Sequence, residues 1–230
     1  MRALAFLVAL SLPLSATAAA AQNTDPRNPT CPEQPNWGGS QPMRFTVQQQ
    51  DGKKVLLAEG AVDDNLVPRL TEALDRNQPL DEIWFRSPGG NAKVGNQAGL
   101  AIRKLGIPTR IPQGWACFSA CNFLFMGGPI RFVDPGGLFM VHMFTHTGNR
   151  QAIEAEVLRG TENTVGLIGE IEQDSALLAS EDNDFLIRMG VSRKLLTEVM
   201  YQTSAVSGDG ATRRCLTQDE VHRYNVANFR

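Results

Sequence analysis

Apolar and polar positions alternate from Met43 to Gln49, with Met43, Phe45 and Val47 on one side, the two-residue period of a strand with one buried face. Asp51-Gly52 is a hairpin-turn signal, and Val55 to Ala58 returns as a second strand. The period then changes. Leu66, Val67, Leu70 and Leu74 recur at helical spacing, with Asp63 or Asp64 available as a cap. Glu82 to Phe85 reads as a short apolar strand. A second helix carries Ala98, Leu100, Ala101, Ile102 and Leu105 and closes at Gly106, and Pro108 to Ile111 is a further strand. Strand, helix, strand, helix, strand in that order predicts an α/β fold, a parallel sheet with crossover helices.

From Trp115 to His142 the pattern is denser. Ser119, flanked by small residues, opens an apolar run suited to a buried helix, which stops at Gly127-Gly128-Pro129. Two short apolar segments follow, Ile130 to Val133 and Leu138 to Val141, and the second delivers His142. Beyond the loop Thr147-Gly148-Asn149, residues Arg150 to Met189 are helix-like, with Ile153, Val157, Val165, Ile168 and Ile171 on an intermittent stripe. Gly160 and Gly166 argue against one unbroken helix there. Ser192 to Met200 reads as another helix begun by a serine cap. Ala205 to Arg213 is a polar, glycine-containing loop, and Thr217 caps a short final helix with Gln218, Asp219 and Glu220 near its positive end.

The chain begins Met1-Arg2, runs apolar from Ala3 to Leu14, and continues through small residues to Ala21. That is the layout of a secretory signal peptide cut near Ala20 or Ala21. The apolar run is short of the roughly 20 residues a membrane span needs. We therefore expect a signal peptide over 1–21, an extended Pro-, Asn- and Gly-rich leader over 22–42, and one domain over 43–230 in the periplasm or outside the cell. Nothing later in the chain is apolar enough to span a membrane, and a formal net charge of -2 gives no electrostatic case for nucleic acid. The four cysteines, Cys31, Cys117, Cys121 and Cys215, suit disulfides in an exported chain, with three connectivities open. One arrangement bridges the serine turn with Cys117–Cys121 and ties the chain ends with Cys31–Cys215; a regular helix at Cys121 would make the first bridge difficult. Zinc ranks below disulfide, because no nearby histidine or second cysteine pair completes a tetrahedral site.

Taken singly, Ser119 is an ordinary helix cap, His142 an ordinary core histidine and Ser87-Pro88-Gly89-Gly90 an ordinary tight turn. Together they gain from the predicted sheet, since functional groups gather at the C-terminal ends of parallel strands. A serine at a strand-to-helix turn can serve as nucleophile and a histidine ending a neighbouring strand as its base. The N–H of Gly90, unobstructed by a side chain, and that of Ala120 could face a developing oxyanion.

Ser87-Pro88-Gly89-Gly90, the Ser119 turn, Gly127, Arg131 and Met140-Val141-His142 resemble the ClpP serine peptidase family, with its ClpP/crotonase-type fold. Closest in kind are exported ClpP-like proteins of bacteria, which share Cys-x-Ser-Ala-Cys at the nucleophile. The resemblance covers about residues 54 to 146 and fades after them. It implies Ser119 as nucleophile, His142 as general base, Gly90 and Ala120 as oxyanion donors, and an aspartate shortly before a segment like Cys215-Leu216-Thr217, here Asp209. Asp209 alone reads as a turn residue between glycines, and Asp174 and Asp184 are rivals. Cys121 stands where the family has glycine and Cys117 where it has a small residue, while the segment after His142 is longer than the ring-joining handle of cytoplasmic ClpP.

The resulting expectation is an exported α/β, ClpP/crotonase-like serine hydrolase, a peptidase by resemblance, with a C-terminal helical segment. Its substrate would be a peptide or protein, no metal or organic cofactor is called for, and the helical segment could join copies into a homo-oligomer. The alternatives are an inactive binding or assembly module on the same fold, and an envelope esterase or amidase.

Overall fold

Two short strands, β1 (Thr24–Asp25) and β2 (Asn28–Pro32), pair antiparallel inside the segment expected to be an extended leader. They carry no apolar periodicity because, among the residues whose burial is described, only Cys31 is buried there, and it is disulfide-bonded to Cys215. The chain is described by a computed structural model covering residues 23–26, 28–144, 146–147, 149–202 and 213–229. The expected signal peptide and Asp209 lie outside the described residues.

β3 (Arg44–Gln50) and β4 (Lys53–Glu59) form the expected hairpin, turning at Asp51 (φ 52°) and Gly52 (φ 77°). Two positive φ values in succession match the right-handed twist of the flanking strands. β4 is central, and Val55, Leu56, Leu57 and Ala58 are all buried, which explains its run of apolar residues. With β5 (Glu82–Arg86), β6 (Thr109–Ile111) and β8 (Arg131–Val133) it builds a sheet of order β3-β4-β5-β6-β8, parallel except for β3. The α/β class is therefore as the sequence pattern implies. A second sheet was not legible: β7 (Ala116–Phe118) pairs parallel with β9 (Leu138–Val141), and β10 (Arg214–Cys215) lies antiparallel on β9.

The crossover helices are α1 (Leu66–Asn77), which buries Leu66, Leu70 and Leu74, and α2 (Ala92–Leu105), which ends on Gly106 in the left-handed region. Asp63 does not cap α1. Asn65 holds that position, while Asp63 accepts a hydrogen bond from the Asn65 amide at 3.0 Å and pairs with Arg69. α3 (Cys121–Met126) packs on α2 so closely that a Cβ at Gly99 would lie 2.3 Å from the Phe123 carbonyl oxygen. The long helix-like stretch is two helices, α4 (Arg150–Leu158) and α5 (Thr161–Met189), broken at Gly160 (φ 115°), while Gly166 stays inside α5. Ser192 starts no α-helix. A π-helical turn (Leu195–Val199) and a 3-10 turn (Met200–Gln202) follow, burying the adjacent Leu195 and Leu196, which an α-helix would set about 100° apart. α6 (Gln218–Arg223) begins with a reciprocal Thr217–Glu220 capping box.

Arg131, 1% exposed, ties three distant segments together. Its guanidinium donates to the carbonyls of Val226 (2.7 Å), Asn225 (2.8 Å), Gly128 (2.9 Å) and Met189 (3.2 Å). Burial, with the like charge of Arg103, lowers its pKa to about 10, so it stays charged at neutral pH on carbonyl hydrogen bonds. Arg131→Met would orphan the Gly128, Asn225 and Val226 carbonyls at about 1–3 kcal/mol each, while the Met189 carbonyl keeps its bond from Arg103. The expected result is a loss of roughly 3 kcal/mol or more, read as a lower urea midpoint at unchanged slope. An unchanged midpoint would remove Arg131 from this role.

Candidate active site

β7 ends at Phe118 and α3 starts at Cys121, so the chain must turn sharply within Ser119-Ala120. Ser119 makes the turn at φ 56°, in the left-handed region that non-glycine residues rarely enter. The Ser119 amide donates to the Met140 carbonyl at 3.3 Å, and its own carbonyl accepts from the Asn122 amide at 2.9 Å. Cys117 and Cys121 are bonded across the turn with Cα atoms 5.4 Å apart. The difficulty foreseen for that bridge does not arise, because Cys121 is the first residue of α3 rather than an interior one. Gly89 seats the turn from the other side: a Cβ there would lie 2.7 Å from the Ser119 Cβ and 2.5 Å from the Phe118 carbonyl oxygen.

The register of β7 on β9 decides what Ser119 meets. Phe118 pairs with Met140, and the strands are parallel, so Ser119 and His142 leave the sheet at the same end. The Ser119 Oγ and His142 Nε2 are 2.7 Å apart, and the Phe118 ring packs 4.8 Å from the imidazole. Both residues are half-buried.

The Ser87–Gly90 loop lies alongside, with the Ser87 amide donating to the Ala116 carbonyl and the Phe118 amide to the Ser87 carbonyl, each at 3.0 Å. The Val62 amide donates to the Gly89 carbonyl and the Asn91 amide to the Val62 carbonyl, each at 2.8 Å. The Gly90 peptide N–H therefore points away from Val62, since amides alternate along extended backbone. Among the described residues neither Gly90 nor Ala120 donates its N–H to a protein acceptor.

Ser119 and His142 open onto a cleft of about 70 Å³ walled by apolar side chains, among them Phe123, Met126, Leu178 and Leu186. Among the described residues one acidic side chain lines it. Asp182 on α5 is half-buried, and burial, with Glu181 adding negative charge, pushes its carboxyl up to about 7. Asp174 and Asp184, the sequence rivals for Asp209, face solvent, and Asp184 pairs with Arg188 at 2.9 Å. Asp182 was overlooked, although it stands midway between Leu178 and Leu186 at four-residue spacing on the apolar side of α5. A carboxylate on an apolar stripe was the signal available.

No protein-family model and no curated protein matches the chain. Solved structures do. A ClpP1 mutant from Listeria monocytogenes is 15% identical, with a TM-score of 0.49 over 76% of this chain and 88% of that one. A mutant of a membrane-bound stomatin-specific protease is 13% identical, with a TM-score of 0.48 over 76% of this chain and 75% of that one. An enoyl-CoA hydratase from Shewanella pealeana is 11% identical, with a TM-score of 0.46 over 80% of this chain and 66% of that one.

The raised pKa of Asp182 has a measurable sign. Between its unfolded value of 3.8 and about 7 the folded chain holds the proton more tightly, so stability falls as pH rises through that window. Asp182→Asn removes the effect. The variant should gain stability relative to wild type at pH 8 and lose that advantage toward pH 4, in urea melts at the two pH values. A difference independent of pH would contradict the raised pKa.

Proposed function

We propose that the chain is an exported serine hydrolase acting on peptides. The observation that carries the reading is the 2.7 Å approach of the Ser119 Oγ to the His142 Nε2, with the serine in a left-handed strand-to-helix turn. In this mechanism the hydroxyl oxygen attacks an acyl carbon as Nε2 takes its proton. The amides of Gly90 and Ala120, without acceptors among the described residues, would stabilise the oxyanion. Collapse expels the amine, which takes the proton back from His142, and water then attacks the acyl-enzyme with His142 again as base. Asp209 keeps its proposed part as the acid that orients the imidazole.

Export rests on the Met1–Ala21 pattern and is supported by the Cys31–Cys215 and Cys117–Cys121 disulfides, which persist in oxidising compartments. The exposed apolar residues Val157, Leu158, Val165, Ile168 and Leu177 on α4 and α5 support self-association through the helical segment. Among the described residues no helix is long and apolar enough to cross a membrane.

A fluorophosphonate probe tests the chemistry. Stoichiometric labelling at Ser119 is expected, absent in Ser119→Ala, with hydrolysis by His142→Ala reduced on the order of 10⁴-fold or more. A folded protein that no probe labels between pH 6 and 9 would instead be a binding module on this fold.

A further inference from the structure

We infer that the cleft beside Ser119 takes a substrate side chain with a slender alkyl stem ending in an ammonium group, as in lysine, and that Asp182 is the residue that selects it. This deepens the hydrolase reading and rests on it for its consequence on rate.

The cleft fits such a group in size and in chemistry. A water-sized group needs about 10–15 Å³ of such space, so the cleft accommodates roughly five, the four methylenes and one nitrogen of a lysine side chain. Its walls are hydrocarbon from Phe123, Met126, Leu186, Leu196 and Met200, which suits a methylene stem. Beyond Ser119 and His142, the polar residues described in its lining are Asn122, whose amide nitrogen donates to the Met140 carbonyl at 2.7 Å, and Asp182, the one carboxylate among them. Among the described residues its carboxyl has neither a hydrogen bond nor an ion pair. The described titratable groups around it offer no cation fixed in place: Glu181 on its own helix is acidic, Tyr201 follows the π-helical turn, and His142 lies across the cleft engaged with Ser119.

A carboxylate held in apolar surroundings without a partner is costly. It must take up a proton or meet a positive charge from outside. An ammonium group arriving on a substrate meets that need, and a neutral side chain of the same length does not. Discrimination should therefore favour lysine over norleucine, which keeps the four-carbon stem and lacks the terminal nitrogen, because only the former leaves no buried charge unpaired.

The test compares matched N-acyl lysine and norleucine thioesters on the full mature protein at pH 8, where the carboxyl is ionised. Wild type is expected to favour lysine in kcat/KM by on the order of ten-fold or more. Asp182→Asn should bring the ratio to about one by losing lysine activity while keeping norleucine turnover and fluorophosphonate labelling of Ser119. Asp182→Glu should keep a preference for lysine, and this second variant guards against simple misfolding. A wild type indifferent to the two, or an Asp182→Asn protein that keeps the preference, would overturn the proposal. If neither thioester is turned over, the hydrolase reading fails on its own, and the cleft is read by binding. Ser119→Ala protein should then bind a lysine peptide on the order of ten-fold more tightly than its norleucine counterpart, and equal or absent binding would overturn the role of Asp182.

Discussion

The left-handed backbone at Ser119 is the constraint on which the site depends. An L-residue in that region costs about 1–2 kcal/mol, so it persists only where its surroundings over-determine it. Here they do so from every side. β7 is locked in register on β9, α3 begins two residues later, a disulfide spans the turn, and Gly89 fills the space where any Cβ would strike Ser119. The hydroxyl is thereby fixed at the end of a strand whose parallel neighbour delivers His142. Among the described residues the same packing leaves two amides without protein partners.

Two carboxyl groups show how the fold separates support from chemistry. Glu82 is 2% exposed, and burial alone would raise its pKa, but hydrogen bonds from Arg110, Lys53 and Trp84 outweigh that and hold it down at about 2. Its contribution to stability is present above the unfolded value of 4.5 and is lost as pH falls toward 2. Asp182 is the opposite case, without a partner among the described residues and shifted upward. Glu82 crosslinks β4, β5 and β6 and is finished by the fold; Asp182 faces a cleft and is left for something else to complete.

Much of this was legible because its signals are local. The two-residue period of β3, the four-residue spacing in α1 and α2, and the Thr217 cap each reflect interactions a few residues apart. What stayed hidden depends on long-range pairing. No local pattern announces that β7, β9 and β10 separate into a second sheet, because strands of two to four residues are too short to show a period. The π-helical turn at Leu195–Val199 answers to the core it covers rather than to its own sequence. Asp63 read as a cap and became the partner of Arg69, a competition that the sequence alone does not weigh.

The central claim is spatial: an oxyanion formed on Ser119 would lie between the Gly90 and Ala120 amides, with His142 still in reach. A crystal structure of the protein phosphonylated at Ser119 tests it most directly. The account expects the phosphonyl oxygen within about 2.7–3.1 Å of both amide nitrogens, and the imidazole beside the ester oxygen. A phosphonyl oxygen turned to solvent, with both amides facing elsewhere, would contradict it.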